Sequence, residues 1–239
     1  LAGTDPYKEI VAETCELLRH AARRGRRTVA LSPEVAEMVG RVRTAKADKQ
    51  QMLDALEREL SECMNCVLGG KRTHLVFGAG SPNAKLVFVG EAPGRDEDLQ
   101  GKPFVGRAGK LLTDIIVKGM KLRREDVYIC NVLKCRPPDN RNPLPAEIEA
   151  CEPFLVRQLE IIQPRVICAM GTFAAQTLLK TNETIGRLRG KWHFYHGIPL
   201  RATYHPAYLL RSPAEKRKTW MDVLEVLKVY HGELNPKPE

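Results

Sequence analysis

The stretch that decides the fold is residues 84–109, "AKLVFVGEAPGRDEDLQGKPFVGRAG". A short apolar run passes at Gly90 into a segment with five glycines, two prolines, four acidic residues and one aromatic, Phe104. An unbroken apolar run bounded by turn residues reads as a strand buried on both faces. Three further runs fit that description or end in a similar turn: "DVYICNVL" (126–133), "RVICAMG" (165–171) and "IPLRATYHP" (198–206).

Helical patterns separate these strands, at about 106–120, 145–162 and 172–180. A last one runs over about 213–231, with Ser212 as its expected cap and Pro213 at its first position. Upstream, "DKQQMLDALERELSEC" (48–63) places Met52, Leu53, Leu56 and Leu60 at helical spacing. Strand–helix alternation predicts an α/β fold with a parallel sheet covered on both faces. Ligands of such sheets bind beyond the carboxyl ends of the strands. The segments "GEAPG", "NVLKCRPP" and "TYHPAYLLR" all stand at such ends.

The chain of 239 residues is long enough for one domain and an extension. Residues 1–50 are basic and broken around Gly25 and Pro33, and read as a partly helical or mobile extension. Its "RRGRR" is a charge run that either stays solvated or meets phosphate. Residues 51–232 form the expected domain and 233–239 a tail. A net charge of +9 favours a polyanionic partner, nucleic acid first. No apolar run reaches the ~18 residues of a membrane span, and no signal-peptide pattern is visible. The expectation is a cytoplasmic protein.

Of the seven cysteines, Cys63 and Cys66 form C-x2-C, and Cys135 and Cys151 form C-x15-C. Four thiolates suit either a tetrahedral zinc or a [4Fe–4S] cluster, and the wide second spacing favours the cluster. Cys15, Cys130 and Cys168 read as structural.

Together, "GEAPGRDEDLQGKPFVGRAGKLL", "NVLKCRPPDNRNPLP", "GKW", "HPAYLLR" and the four-cysteine frame resemble the family 4, iron–sulfur uracil-DNA glycosylases, over about residues 55–231. The resemblance implies a three-layer α/β/α sandwich around a four-stranded parallel sheet. It implies excision of uracil from single- or double-stranded DNA in base excision repair, leaving an abasic site, by a nucleoid-associated monomer. Cys63, Cys66, Cys135 and Cys151 match the ligands of a structural cluster.

The same resemblance implies the site roles. The uridine must leave the duplex to be reached. Phe104 matches the stacking aromatic and Asn131 the reader of the base edge, accepting from uracil N3–H and donating to O4. The backbone of Gly90, Glu91 and Ala92 lines the pocket. His205 is placed to hydrogen-bond uracil O2 as negative charge builds on the departing base. The best-known members of the superfamily carry an Asp where Ala92 stands, so the adjacent Glu91 becomes the leading water-orienting carboxylate, with Glu97 and Asp96 behind it. Asp96 and Asp98 read equally well as a solvated or capping acidic run. Related enzymes exclude thymine with a Tyr where this chain has Gly94, so that role has no assigned residue. Leu209 or Leu210 supplies a wedge for the vacated base stack, and Arg211 and Lys102 meet phosphates. Two other readings are a non-catalytic iron–sulfur nucleic-acid-binding module and a relative that traps DNA through a loop histidine. The corresponding loop, "KCRPPDNRNPLP" (134–145), has no histidine.

Overall fold

The computed structural model describes residues 48–237. The "RRGRR" arm, Cys15 and the rest of residues 1–47 lie outside that range. A first helix, α1, covers residues 48–61. Leu53, Leu56 and Leu60 face the core, whereas Met52, expected on that face, is 53% exposed. Met52 lies at the edge of the face that Leu53, Leu56 and Leu60 define, about one helical step away from Leu53.

Six strands form one sheet: β1 (Ala79–Gly80), β2 (Leu86–Gly90), β3 (Tyr128–Asn131), β4 (Val166–Met170), β5 (Trp192–Tyr195) and β6 (Ile198–Thr203), in the order β1-β3-β2-β4-β6-β5. The four inner strands are parallel, as the sequence predicts. The sheet is nevertheless wider than four strands. β1 and β5 pair antiparallel on its two edges. Both escaped the sequence reading for a physical reason: β1 is two residues long, and β5 is only partly buried. β1 is too short for any pattern, and the aromatic-rich β5 is interrupted by His193 and lies at the edge.

The remaining helices are α2 (Arg95–Gln100), α3 (Arg107–Asp114), α4 (Pro145–Ile162), α5 (Thr172–Leu179), α6 (Ile185–Leu188), α7 (Pro206–Arg211) and α8 (Lys216–His231). α3 continues through a π-helical turn at Ile115–Gly119. Ser212 precedes a 3-10 turn at Pro213–Glu215 but makes no side-chain cap, so α8 begins only at Lys216. The period-two alternation of strands sorts their side chains between two cores. Val87, Val89, Ile167 and Ala169 pack with Leu56, Leu155, Leu159 and Leu178 of α1, α4 and α5. Leu86, Phe88, Val166 and Cys168 pack with Leu112, Ile116, Val223 and Val226 of α3, its π turn and α8. The result is a three-layer α/β/α sandwich.

One polar knot crosses the first core. Lys134 is fully buried; its Nζ donates to the Asn131 carbonyl at 2.7 Å and to Gln158 Oε1. Gln158 in turn donates to the Phe77 carbonyl (3.0 Å) and to the Tyr128 hydroxyl (3.2 Å). Burial pulls the Lys134 ammonium pKa down. Removing an acceptor from a buried cationic group costs more than an ordinary hydrogen bond. Gln158→Leu is therefore expected to lower stability by about 3 kcal/mol, read as a lower urea midpoint with an unchanged slope.

Candidate active site

The carboxyl ends of β2, β3, β4 and β6 open into one cleft of about 790 Å³. Its lining includes Glu91, Ala92, Phe104, Asn131, His205 and Arg211. Leu133 N–H donates to the Glu91 carbonyl and Val132 N–H to the Gly90 carbonyl, both at 3.0 Å, so the β2–β3 pairing continues into the cleft wall. A groove of about 850 Å³ between α4 and α5 is more apolar, but it holds none of these groups.

Gly90 lets the parts meet. A Cβ there would lie 2.4 Å from Asn131 Oδ1 and 2.7 Å from Phe104 Cζ. The Phe104 and His205 rings stand 5.6 Å apart between centroids, tilted by 36°. Asn131 is 1% exposed and its Oδ1 has no protein partner. A buried acceptor left unpaired is costly, and this one belongs to a residue lining the cleft, where a donor on a bound ring can satisfy it.

Phe104 is held in a left-handed conformation (φ 53°) that disfavours an L-residue. Three devices maintain it. Arg124 donates to the Pro103 carbonyl (2.7 Å), the Phe104 carbonyl (3.1 Å) and Thr113 Oγ1 (2.9 Å). Gly109 leaves room for the Phe104 carbonyl, which a Cβ would meet at 1.9 Å. Glu97 Oε1 accepts from Val105 and Gly106 N–H, each at 2.9 Å, and Oε2 from Gly94 N–H at 3.1 Å.

That last contact corrects the place of the acidic run. Glu97 lines the cleft, and both its oxygens brace the loop, Oε1 through two N–H groups and Oε2 through one. Asp98 is neither solvated nor a cap. It is 5% exposed and accepts from Thr73 N–H (2.9 Å) and Thr73 Oγ1–H (2.7 Å). Asp96 is exposed and outside the cleft lining. Gly94 does line it, and a Cβ there would lie 2.8 Å from Glu97 Oε2. Its bareness therefore serves the brace. Arg124 escaped the sequence reading because its partners are carbonyls about 20 residues away.

Two titratable groups are shifted in opposite senses. Burial raises the Glu91 carboxyl to about 7. Burial first, and the Arg211 charge second, lower the His205 imidazole to about 4. His205 Nδ1 accepts from Ala207 N–H at 3.1 Å, at the N-cap of α7. A neutral ring whose Nδ1 accepts carries its proton on Nε2. Gly171 (φ 91°) allows the close approach of His205, whose Cβ would stand 3.0 Å from an added Cβ.

On α7 the structure separates the two wedge candidates. Leu209 is 1% exposed and belongs to the core, whereas Leu210 is 38% exposed. The helical turn points one inward and the next outward. Arg211 lines the cleft; Lys102 is exposed but does not.

Cys63, Cys66, Cys135 and Cys151 line one small void of about 20 Å³ on the α1 side of the sheet. Arg72 Nη1 donates to Cys135 Sγ (3.3 Å) and to the Cys63 carbonyl (3.1 Å), and Lys134 N–H approaches Cys151 Sγ at 3.4 Å. Four soft donors with N–H groups aimed at two of them fit a thiolate-ligated metal centre. Among the described residues no three His, Cys, Asp or Glu side chains stand ready-made around a metal position. Cys130 and Cys168 are buried within strands.

The Uracil DNA glycosylase superfamily model matches residues 77–225. The chain is 50% identical over 171 residues to a type-4 uracil-DNA glycosylase of Archaeoglobus fulgidus, covering 68% of this chain and 85% of that protein. It is 42% identical over 185 residues to a type-4 uracil-DNA glycosylase of Thermotoga maritima, covering 76% and 96%. A type-5 uracil-DNA glycosylase of Thermus thermophilus is 31% identical over 152 residues, covering 54% and 68%. This chain belongs to the uracil-DNA glycosylase superfamily.

The imidazole geometry has a direct readout. Nitrogen-15 NMR of the folded protein is expected to find His205 neutral and protonated on Nε2 from pH 5 to 8, titrating near 4. Arg211→Ala, which removes a repelling charge, should raise that pKa.

Proposed function

We propose that this chain is a monofunctional uracil-DNA glycosylase, which hydrolyses the N-glycosidic bond of a flipped-out deoxyuridine and releases uracil. The observation that carries the reading is the convergence of Phe104, Asn131 and His205 on one cleft, with the Asn131 Oδ1 acceptor unpaired. Phe104 stacks on the extruded base. Asn131 Oδ1 accepts from N3–H while its amide donates to O4, a pattern that uracil offers and cytosine does not.

As the bond lengthens, positive charge grows on the sugar and negative charge on uracil O2. A neutral imidazole donating from Nε2 stabilises that anion without carrying charge into the pocket. One such preorganised donor is commonly worth about 3–4 kcal/mol. Glu91, in its ionised form, orients the attacking water and opposes the sugar cation. Leu210 enters the duplex where the base has left, and Arg211 meets a phosphate. The loop 137–142 lends Pro137, Asn140, Arg141 and Asn142 to the cleft but no histidine, which speaks for hydrolysis over a covalent histidine trap.

Cys63, Cys66, Cys135 and Cys151 would hold a [4Fe–4S] cluster, whose contribution is to tie α1 and α4 to the end of β3. A single zinc ion is the second reading, favoured by the narrowness of the void. Protein purified without oxygen is expected to be brown, with broad visible absorption and about four irons per chain; a colourless protein with one zinc would establish the second reading.

Single-turnover cleavage of a uracil oligonucleotide tests the chemistry. A carboxyl raised to about 7 is protonated below that pH and loses its charge there, so the rate should climb as pH rises through 7. Glu91→Gln should flatten that limb and slow the reaction at least about 100-fold. His205→Ala should slow cleavage by about 100- to 1,000-fold while leaving DNA affinity within a few-fold. Equal losses in rate and affinity would make His205 a binding residue instead.

A further inference from the structure

Beyond the uracil pocket, the cleft rim carries a second aromatic feature that the uracil chemistry leaves unused. Tyr204 and Tyr208 both line the cleft, one just before His205 and one on the first turn of α7. Their ring centroids are 5.1 Å apart, tilted by 40°. Tyr208 is 37% exposed.

Tyr204 is anchored from behind. The Arg189 guanidinium lies 5.4 Å from its ring centroid. Arg189 is itself held by the fully buried Asp222 at 2.9 Å and by the Lys218 carbonyl at 2.8 Å. Asp222 also accepts from Thr203 Oγ1–H at 2.9 Å, at the end of β6. A chain of contacts thus runs from the core through Asp222 and Arg189 to Tyr204 and on to Tyr208. An exposed tyrosine at a rim normally has a mobile ring; this one is backed by a cation-supported partner.

We infer that Tyr208, backed by Tyr204, is a stacking platform for the nucleobase next to the extruded uridine on the same strand. The inference rests on the glycosylase reading. Three observations point to a nucleobase as the occupant. The platform is continuous with the proposed uracil cleft. It is flanked by Arg211, one helical turn along α7 and itself a cleft residue, which suits the phosphate joining the two nucleotides. It offers a partly exposed aromatic ring, on which any base can stack. Stacking of this kind tolerates sequence and needs no complementary strand. It therefore supplies grip on single-stranded DNA, where no duplex holds the neighbouring base.

The test measures affinity for single-stranded oligonucleotides carrying 2′-fluoro-deoxyuridine, whose glycosidic bond resists cleavage. One oligonucleotide is complete, and two others replace the 5′ or the 3′ neighbour with an abasic spacer. Tyr208→Ala should weaken binding of the complete oligonucleotide by about tenfold. On one of the two spacer oligonucleotides the wild-type protein should already show that loss, and the substitution should add nothing. Tyr208→Trp should restore affinity for the complete strand. Equal loss on all three oligonucleotides, or no loss on any, would overturn the platform; circular dichroism confirms that the variants are folded. Uracil release by the wild-type protein is scored separately. If release is absent while the neighbour dependence persists, the activity reading fails and the platform stands. If uracil is released without neighbour dependence on Tyr208, the platform fails alone.

Discussion

The site depends on how closely backbone and side chains approach one another at the end of β2. The strand is buried throughout and ends on a glycine. A single methyl group at Gly90 would overlap both Asn131 Oδ1 and the edge of the Phe104 ring. The same economy of space recurs at Gly109 beneath the Phe104 carbonyl and at Gly171 beside His205. A base-sized slot between an aromatic ring, an amide and an imidazole requires three backbones to come nearer than side chains allow. Glycine is the residue that permits it.

Holding that slot open falls to two charged groups behind it. Glu97 and Arg124 brace opposite sides of the Phe104 peptide, one accepting N–H groups and the other donating to carbonyls. Together they offset the cost of a left-handed phenylalanine, of the order of 1–3 kcal/mol. Glu91 and His205 are tuned by the same burial acting on opposite charges. Desolvation disfavours the charged form, so it raises a carboxyl and lowers an imidazole. Near neutral pH the cleft holds an uncharged histidine donor and a carboxyl poised to ionise.

The cysteine quartet is tied to this site through β3. Asn131 ends that strand; its carbonyl accepts from the buried Lys134 ammonium, and the Lys134 backbone N–H approaches Cys151 Sγ. Cys135 follows directly. Whatever orders the four sulfurs therefore also bears on the carbonyl side of Asn131, whose side chain lines the cleft.

The inner strands, the long helix α4 and the strand-end placement of "GEAPG", "NVLKCRPP" and "TYHPAYLLR" were legible in the sequence. Unbroken apolar runs such as those of β2 and β4 have one stable environment, between two helical layers. Other features are invisible one residue at a time. The acidic run 96–98 reads as candidate water-orienting carboxylates or a solvated or capping cluster, yet folding sends Asp98 inward to Thr73, makes Glu97 a loop brace and leaves Asp96 in solvent. Leu209 and Leu210 are the same residue type, and only the phase of α7 against the core decides which is free. Short-range pattern determines which segments bury apolar surface. Which polar group meets which partner is decided by contacts far apart along the chain, and those exist only once the layers have closed.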